Sequence, residues 1–74
     1  MNDELTIELD LDQDEVHVGE VAMHASSRSV YMLYMGVCPY NGYATYRFKG
    51  TAQNLISLMD YYGYDDDIQT YIVD

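Results

Sequence analysis

Asp10, Asp12 and Asp14 recur at every second residue with Glu8 and Glu15 at their flanks, so ELDLDQDE (8–15) holds five carboxylates and no base. Oxygen donors at this spacing suit a hard cation, and the three aspartates match the first ligand positions of a calcium-binding EF-hand loop. The match stops there. The sixth loop position needs Gly for its sharp turn and has Glu15, and the twelfth needs Glu and has Val21. A second run, Asp65-Asp66-Asp67, has too few residues after it to complete such a loop. His17 and His24 are seven apart, not the i, i+4 spacing of a helical metal pair, and Cys38 is remote from both. The expectation is no metal and no cofactor.

Carboxylates also serve as general acids and bases when two share a cleft that pushes their pKa values apart. Acids that alternate with leucines belong instead on the solvated face of a strand. The sequence has no Gly-rich phosphate loop, nucleophile elbow or Cys-x-x-Cys. No catalytic residue is assigned, and the chain reads as a non-enzyme.

The elements that must carry these acids follow from periodicity. Leu5, Ile7, Leu9 and Leu11 alternate with Thr6, Glu8, Asp10 and Asp12, the pattern of a half-buried strand, and Gln13-Asp14-Glu15 reads as a turn. VHVGEVAMHAS (16–26) fits a strand with a bulge at Gly19-Glu20 or a short helix with Val18, Val21, Ala22 and Ala25 on one side. Two valines and a Gly favour the strand. SVYMLYMGVC (29–38) is apolar on both faces and reads as a central strand. Asn41-Gly42 signals a hairpin, and Tyr43–Lys49 returns with Ala44, Tyr46 and Phe48 on one face and Tyr43, Thr45, Arg47 and Lys49 on the other. Thr51 can cap a helix whose apolar stripe runs through Ala52, Leu55, Ile56, Leu58, Met59 and Tyr62, with Gly63 at the left-handed position after it. IQTYIVD (68–74) reads as a last strand. The expected fold is therefore α+β: residues 1–74 as a single domain, an antiparallel sheet of four or five strands with one helix on a face, in the order ββββαβ.

Charge is segregated along the chain. Residues 1–20 carry −8, residues 21–59 carry +3 and residues 60–74 carry −5, for a net −10. Acids recruited for solubility alone are best interspersed with bases. These are not, and their self-repulsion suggests a use. A field of this sign repels nucleic acid and anionic membranes, so neither is an expected ligand, and a basic protein is the expected partner. On a strand, Glu8, Asp10 and Asp12 would stand about 6.6–6.8 Å apart, continued by Asp14 and Glu15, a spacing comparable to a line of phosphates. The other acidic run follows tyrosines: Tyr61, Tyr62 and Tyr64 lead into Asp65, Asp66 and Asp67. Tyrosine offers a large, rigid interface area and a hydroxyl, and nine in 74 residues exceed what a small core can hide. The expected partner-binding residues are Glu8, Asp10, Asp12, Asp14, Glu15, Tyr61, Tyr64, Asp65, Asp66 and Asp67.

No apolar run approaches the roughly 18 residues of a membrane span, and the acidic start, Met1-Asn2-Asp3-Glu4, lacks the basic region of a signal peptide. A single cysteine excludes an internal disulfide framework, and the expected location is the cytoplasm.

A small, strongly acidic, Tyr-rich α+β chain of this kind resembles the inhibitors carried by phages and other mobile elements, the anti-CRISPR and antirestriction proteins, many of which mimic DNA. YNGYATYRF (40–48) is similar to a Tyr-Asn-Gly stretch of the ArdA antirestriction family, although the later Gly and Trp of that family are missing here and the chain is far shorter; no residue role carries over. The resemblance implies a basic nucleic-acid-binding partner, such as a CRISPR effector subunit or a restriction enzyme, in the host cytoplasm. It leaves open a monomer or a homodimer. The alternatives are an immunity or antitoxin protein that neutralises a basic nuclease, and a small structural protein of a phage or complex.

Overall fold

The computed structural model describes residues 3–73; Met1, Asn2 and Asp74, the last residue of the expected final strand, lie outside that range. The elements run β1 (Glu4–Asp12), α1 (Val18–Ser27), β2 (Tyr31–Val37), β3 (Tyr43–Thr51) and α2 (Ala52–Tyr61), followed by a 3-10 turn at Ile68–Tyr71. The three strands form one antiparallel sheet in the order β1-β3-β2. Strands β1 and β2 are thus parallel to each other across β3, with α1 as their crossover. A residual fourth strand survives as the antiparallel bridge Ile7–Ile72 on the outer side of β1. This is the connectivity of a split β-α-β unit.

The expected four- or five-stranded sheet with one helix is overturned at two places. Residues 18–27 form a helix where a strand was favoured, and the last segment contributes a 3-10 turn and one bridge rather than a strand. Helix α1 has weak local support: its N-cap, His17, makes no side-chain cap bond. Burial supplies the rest, because Val21 and Ala25, four residues apart, are both sealed against the sheet. Strand β2 also differs from expectation. It is an edge strand, not a central one, and Tyr31, Leu33, Tyr34 and Met35 remain exposed on it.

The inner sheet face carries Ile7, Leu9 and Leu11 from β1 and Ala44, Tyr46 and Phe48 from β3, all buried. Val21 and Ala25 of α1 and Leu55, Leu58 and Met59 of α2 cover them. The hairpin between β2 and β3 closes with Cys38 N–H on Tyr43 O at 2.8 Å and Gly42 N–H on Cys38 O at 3.1 Å. Only Gly42 takes positive φ there; Asn41 acts through its side chain, which accepts from Tyr43 N–H at 2.9 Å.

Both helices end in the same six-residue reversal. In α2, Tyr64 N–H reaches Met59 O and Gly63 N–H reaches Asp60 O; in α1, Val30 N–H reaches Ala25 O and Ser29 N–H reaches Ser26 O. The left-handed residue is Gly63 in one (φ 81°) and Ser29 in the other (φ 58°). A side chain is strained in that region by roughly 1–2 kcal/mol, partly offset by the smaller backbone entropy of a non-glycine. Ser29→Gly is therefore expected to stabilise by about 0.5–1 kcal/mol and Gly63→Ala to destabilise by about 1 kcal/mol, both read from urea unfolding. Equal and like-signed shifts would contradict the assignment.

Candidate acidic interaction surface

The outward side of β1 faces the outward side of β3. The register sets Thr6 opposite Lys49, Glu8 opposite Arg47, Asp10 opposite Thr45 and Asp12 opposite Tyr43. Arg47 Nε donates to Glu8 Oε1 at 3.1 Å, and Thr45 Oγ1 donates to Asp10 Oδ1 at 2.7 Å. The acids are therefore not a bare row. Glu8 is neutralised by a base 39 residues away, and it is the upper half of β1 and the turn after it that keep unpaired charge.

That turn is built by Asp12. Its Oδ1 accepts from Asp14 N–H at 2.9 Å, and its backbone carbonyl accepts from the N–H groups of Glu15 and Val16. Asp14 and Glu15 are exposed as a result.

The carboxyl-terminal acids reach the same end of the sheet through α2. Its terminal reversal at Gly63 throws Tyr64 back onto β1, where the Tyr64 hydroxyl donates to Asp10 O. The Tyr64 ring meets Tyr71 edge-on with centroids 5.6 Å apart, and the Tyr71 hydroxyl donates to Asp66 Oδ2 at 2.8 Å. Asp67 caps the 3-10 turn by accepting from Gln69 N–H at 3.0 Å. A chain of contacts thus runs Asp10–Tyr64–Tyr71–Asp66.

Between the two segments lies a cleft of about 390 Å³, lined among others by Asp10, Asp12, Glu15, Tyr43, Tyr61 and Tyr64. Of the expected residues, Asp10, Asp12, Glu15, Tyr61 and Tyr64 come together there. Asp14 lies on the adjoining turn, Asp65–Asp67 lie beyond Tyr64, and Glu8 is engaged by Arg47. Behind Glu15 a second depression of about 390 Å³ is walled by Glu15, Val16, Glu20, His24, Tyr61 and Tyr62. The His24 ring lies 4.1 Å from that of Tyr61, and the Arg28 guanidinium sits 5.2 Å from the same Tyr61 centroid. Glu20, His24 and Tyr62 were missed from the sequence. The signal was the i, i+4, i+8 spacing of Glu20, His24 and Arg28, which a helix turns into close neighbours along one face.

The hydroxyls of Tyr62, Tyr64 and Tyr71 stay protonated and able to donate. Burial, then Asp10 and Tyr43, raises Tyr64; the bond to Asp66, then burial, raises Tyr71. Tyr62 is pushed up to about 12, by burial first and then by Tyr61, Tyr46 and Glu20, and its sealed hydroxyl has no partner among the described residues. A raised folded-state value favours the folded chain fully below the ordinary value of about 10 and loses that advantage as pH climbs toward 12. Stability against urea is therefore expected to fall between pH 10 and 12. Tyr62→Phe removes part of that fall and, by deleting an orphaned polar group, raises stability at neutral pH by about 1 kcal/mol. A variant less stable than the parent at pH 7 would mean that the hydroxyl has a partner.

Compared with known proteins, the chain matches no family model, no curated protein and no solved structure. Carboxylate acceptors set among tyrosine rings, whose faces and hydroxyl oxygens also attract cations, form a surface suited to guanidinium and ammonium groups. Among the described residues no helix is long and apolar enough to cross a membrane.

Proposed function

We propose that this protein is a non-catalytic inhibitor of the phage or mobile-element type that occupies the basic nucleic-acid-binding surface of another protein, such as a CRISPR effector subunit or a restriction enzyme, in the cytoplasm. The observation that carries this reading is the meeting of Asp10, Asp12 and Glu15 with Tyr61 and Tyr64 in one cleft, next to the Asp65–Asp67 turn. The carboxylates stand in for phosphate oxygens and draw Lys and Arg side chains that otherwise hold nucleic acid. The tyrosines supply rigid area that loses little entropy on contact. Opposite fields accelerate encounter, and the acceleration fades as salt shortens the screening length to about 8 Å at 0.15 M.

The test is competition. Labelled duplex DNA is bound to a candidate effector and the purified chain is titrated in at several salt concentrations. Displacement that weakens steadily from 0.05 to 0.3 M salt is the expected result. No displacement at the lowest salt from any of a panel of such effectors would reject the reading.

A further inference from the structure

The two edges of the sheet are treated differently. Along the outer edge of β1, Val73 N–H donates to Thr6 O at 3.0 Å, Ile72 bridges Ile7, and the Tyr64 hydroxyl covers Asp10 O. Along the outer edge of β2, among the described residues, no backbone hydrogen bond is made. Open edges in solitary chains are usually blunted by Lys, Pro or an inward charge. YMLYMGV has none of these. Its one blunting device is a bulge, the register shift between Tyr34 and Gly36. The strand also exposes large apolar side chains: Tyr31 is 70% exposed, Leu33 49% and Met35 47%.

We infer that β2 is a self-association edge, and that two copies of this chain join their β2 strands antiparallel about a two-fold axis at Leu33 to give a six-stranded sheet. Charge selects the occupant. A basic partner finds no carboxylate on this strand, whereas a second copy offers an equally uncharged one. The net charge of −10 does not oppose the pairing, because the β1 strands end at the two far margins, five strand spacings or roughly 24 Å apart, beyond two screening lengths at physiological salt. Side-chain direction limits the register. Tyr31 and Leu33 lie on the face of Lys49 and Arg47, and a two-fold axis at Leu33, ahead of the bulge after Tyr34, keeps that face continuous across the seam and sets Leu33 against Leu33 of the second copy. Tyr34, Val37 and, on the hairpin turn beyond the strand, the almost fully exposed Tyr40 extend the apolar surface past the paired residues. The inference does not depend on the inhibitor reading, since the acidic cleft lies along the opposite edge.

The test is the mass of the full chain by light scattering from 5 to 500 µM, beside a Leu33→Glu variant. Glutamate at 33 faces Arg47 within its own sheet, so the fold tolerates it, but across the axis it meets its own copy. The expected result is a dimer for the parent and a shift of the dissociation constant by at least 30-fold for Leu33→Glu. In a Cys38→Ser background, Leu33→Cys is expected to form a disulfide-linked dimer under mild oxidation, while Met23→Cys on α1 is not. A parent that stays monomeric throughout the range, or a dimer unaffected by Leu33→Glu, overturns the inference. DNA displacement measured on the same samples reports the inhibitor function separately.

Discussion

Asp12→Asn combined with Glu15→Lys weakens displacement of DNA from a susceptible effector by about 30–100-fold. Both residues line the cleft, and neither is matched by a base among the described residues. Two lost charge-assisted contacts and one reversed sign correspond to roughly 2–3 kcal/mol, with part of the loss in the association rate. Asparagine is chosen at position 12 because its side-chain oxygen can still accept from Asp14 N–H and keep the turn. The control is Glu4→Lys, an exposed acid opposite Thr51 at the end of β1 far from the cleft, which changes net charge by two without touching the site. It is expected to alter displacement by no more than about threefold. Equal effects of the two variants would show that overall charge, not this cleft, governs the competition.

Phe48→Ala leaves the chain largely unfolded at 25 °C. Phe48 is completely buried at the centre of β3, paired with Ile7 on one side and Met32 on the other, and its ring stacks on Tyr46 with centroids 5.9 Å apart. Truncating such a ring costs about 3–5 kcal/mol, and a single core in a chain this short supplies no more than about 3–5 kcal/mol of net stability. Far-ultraviolet circular dichroism in a urea titration checks this, with Phe48→Leu as a partner substitution expected to lose only about 1 kcal/mol. A transition within 1 kcal/mol of the parent for Phe48→Ala would mean that the core closes over the gap.

What the sequence disclosed was local chemistry. The alternation of β1, the Asn41-Gly42 hairpin, β3, the Thr51 cap and Gly63 after α2 each write their signal within a few residues, and each element lies where that signal puts it. Helix α1 was obscured because Val18, Gly19 and Val21 have poor helix propensity, and contacts with distant strands decide its conformation. Strand β2 misled in the opposite way. Apolar residues on both faces usually mean burial on both, yet here one face and one edge stay open. The final segment has the composition of a strand, but the cap at Asp67 turns it into a 3-10 coil and leaves a single bridge. The acidic site was half visible. The carboxylates and tyrosines announced themselves by type, whereas the pairing of Glu8 with Arg47 joins residues 39 apart and no local pattern records it.

Placing β3 in the middle of the sheet has a consequence for how the chain is made. Asp12 waits for Tyr43 and Glu4 waits for Thr51, so β1 leaves the ribosome without its hydrogen-bonding mate. At about 5–20 residues per second the delay lasts some seconds, during which four regularly spaced aliphatic side chains are bared to neighbouring nascent polypeptides. Carboxylates between those side chains act as gatekeepers, since two such segments repel before they can zip together. The same negative charge thus guards its own strand through synthesis.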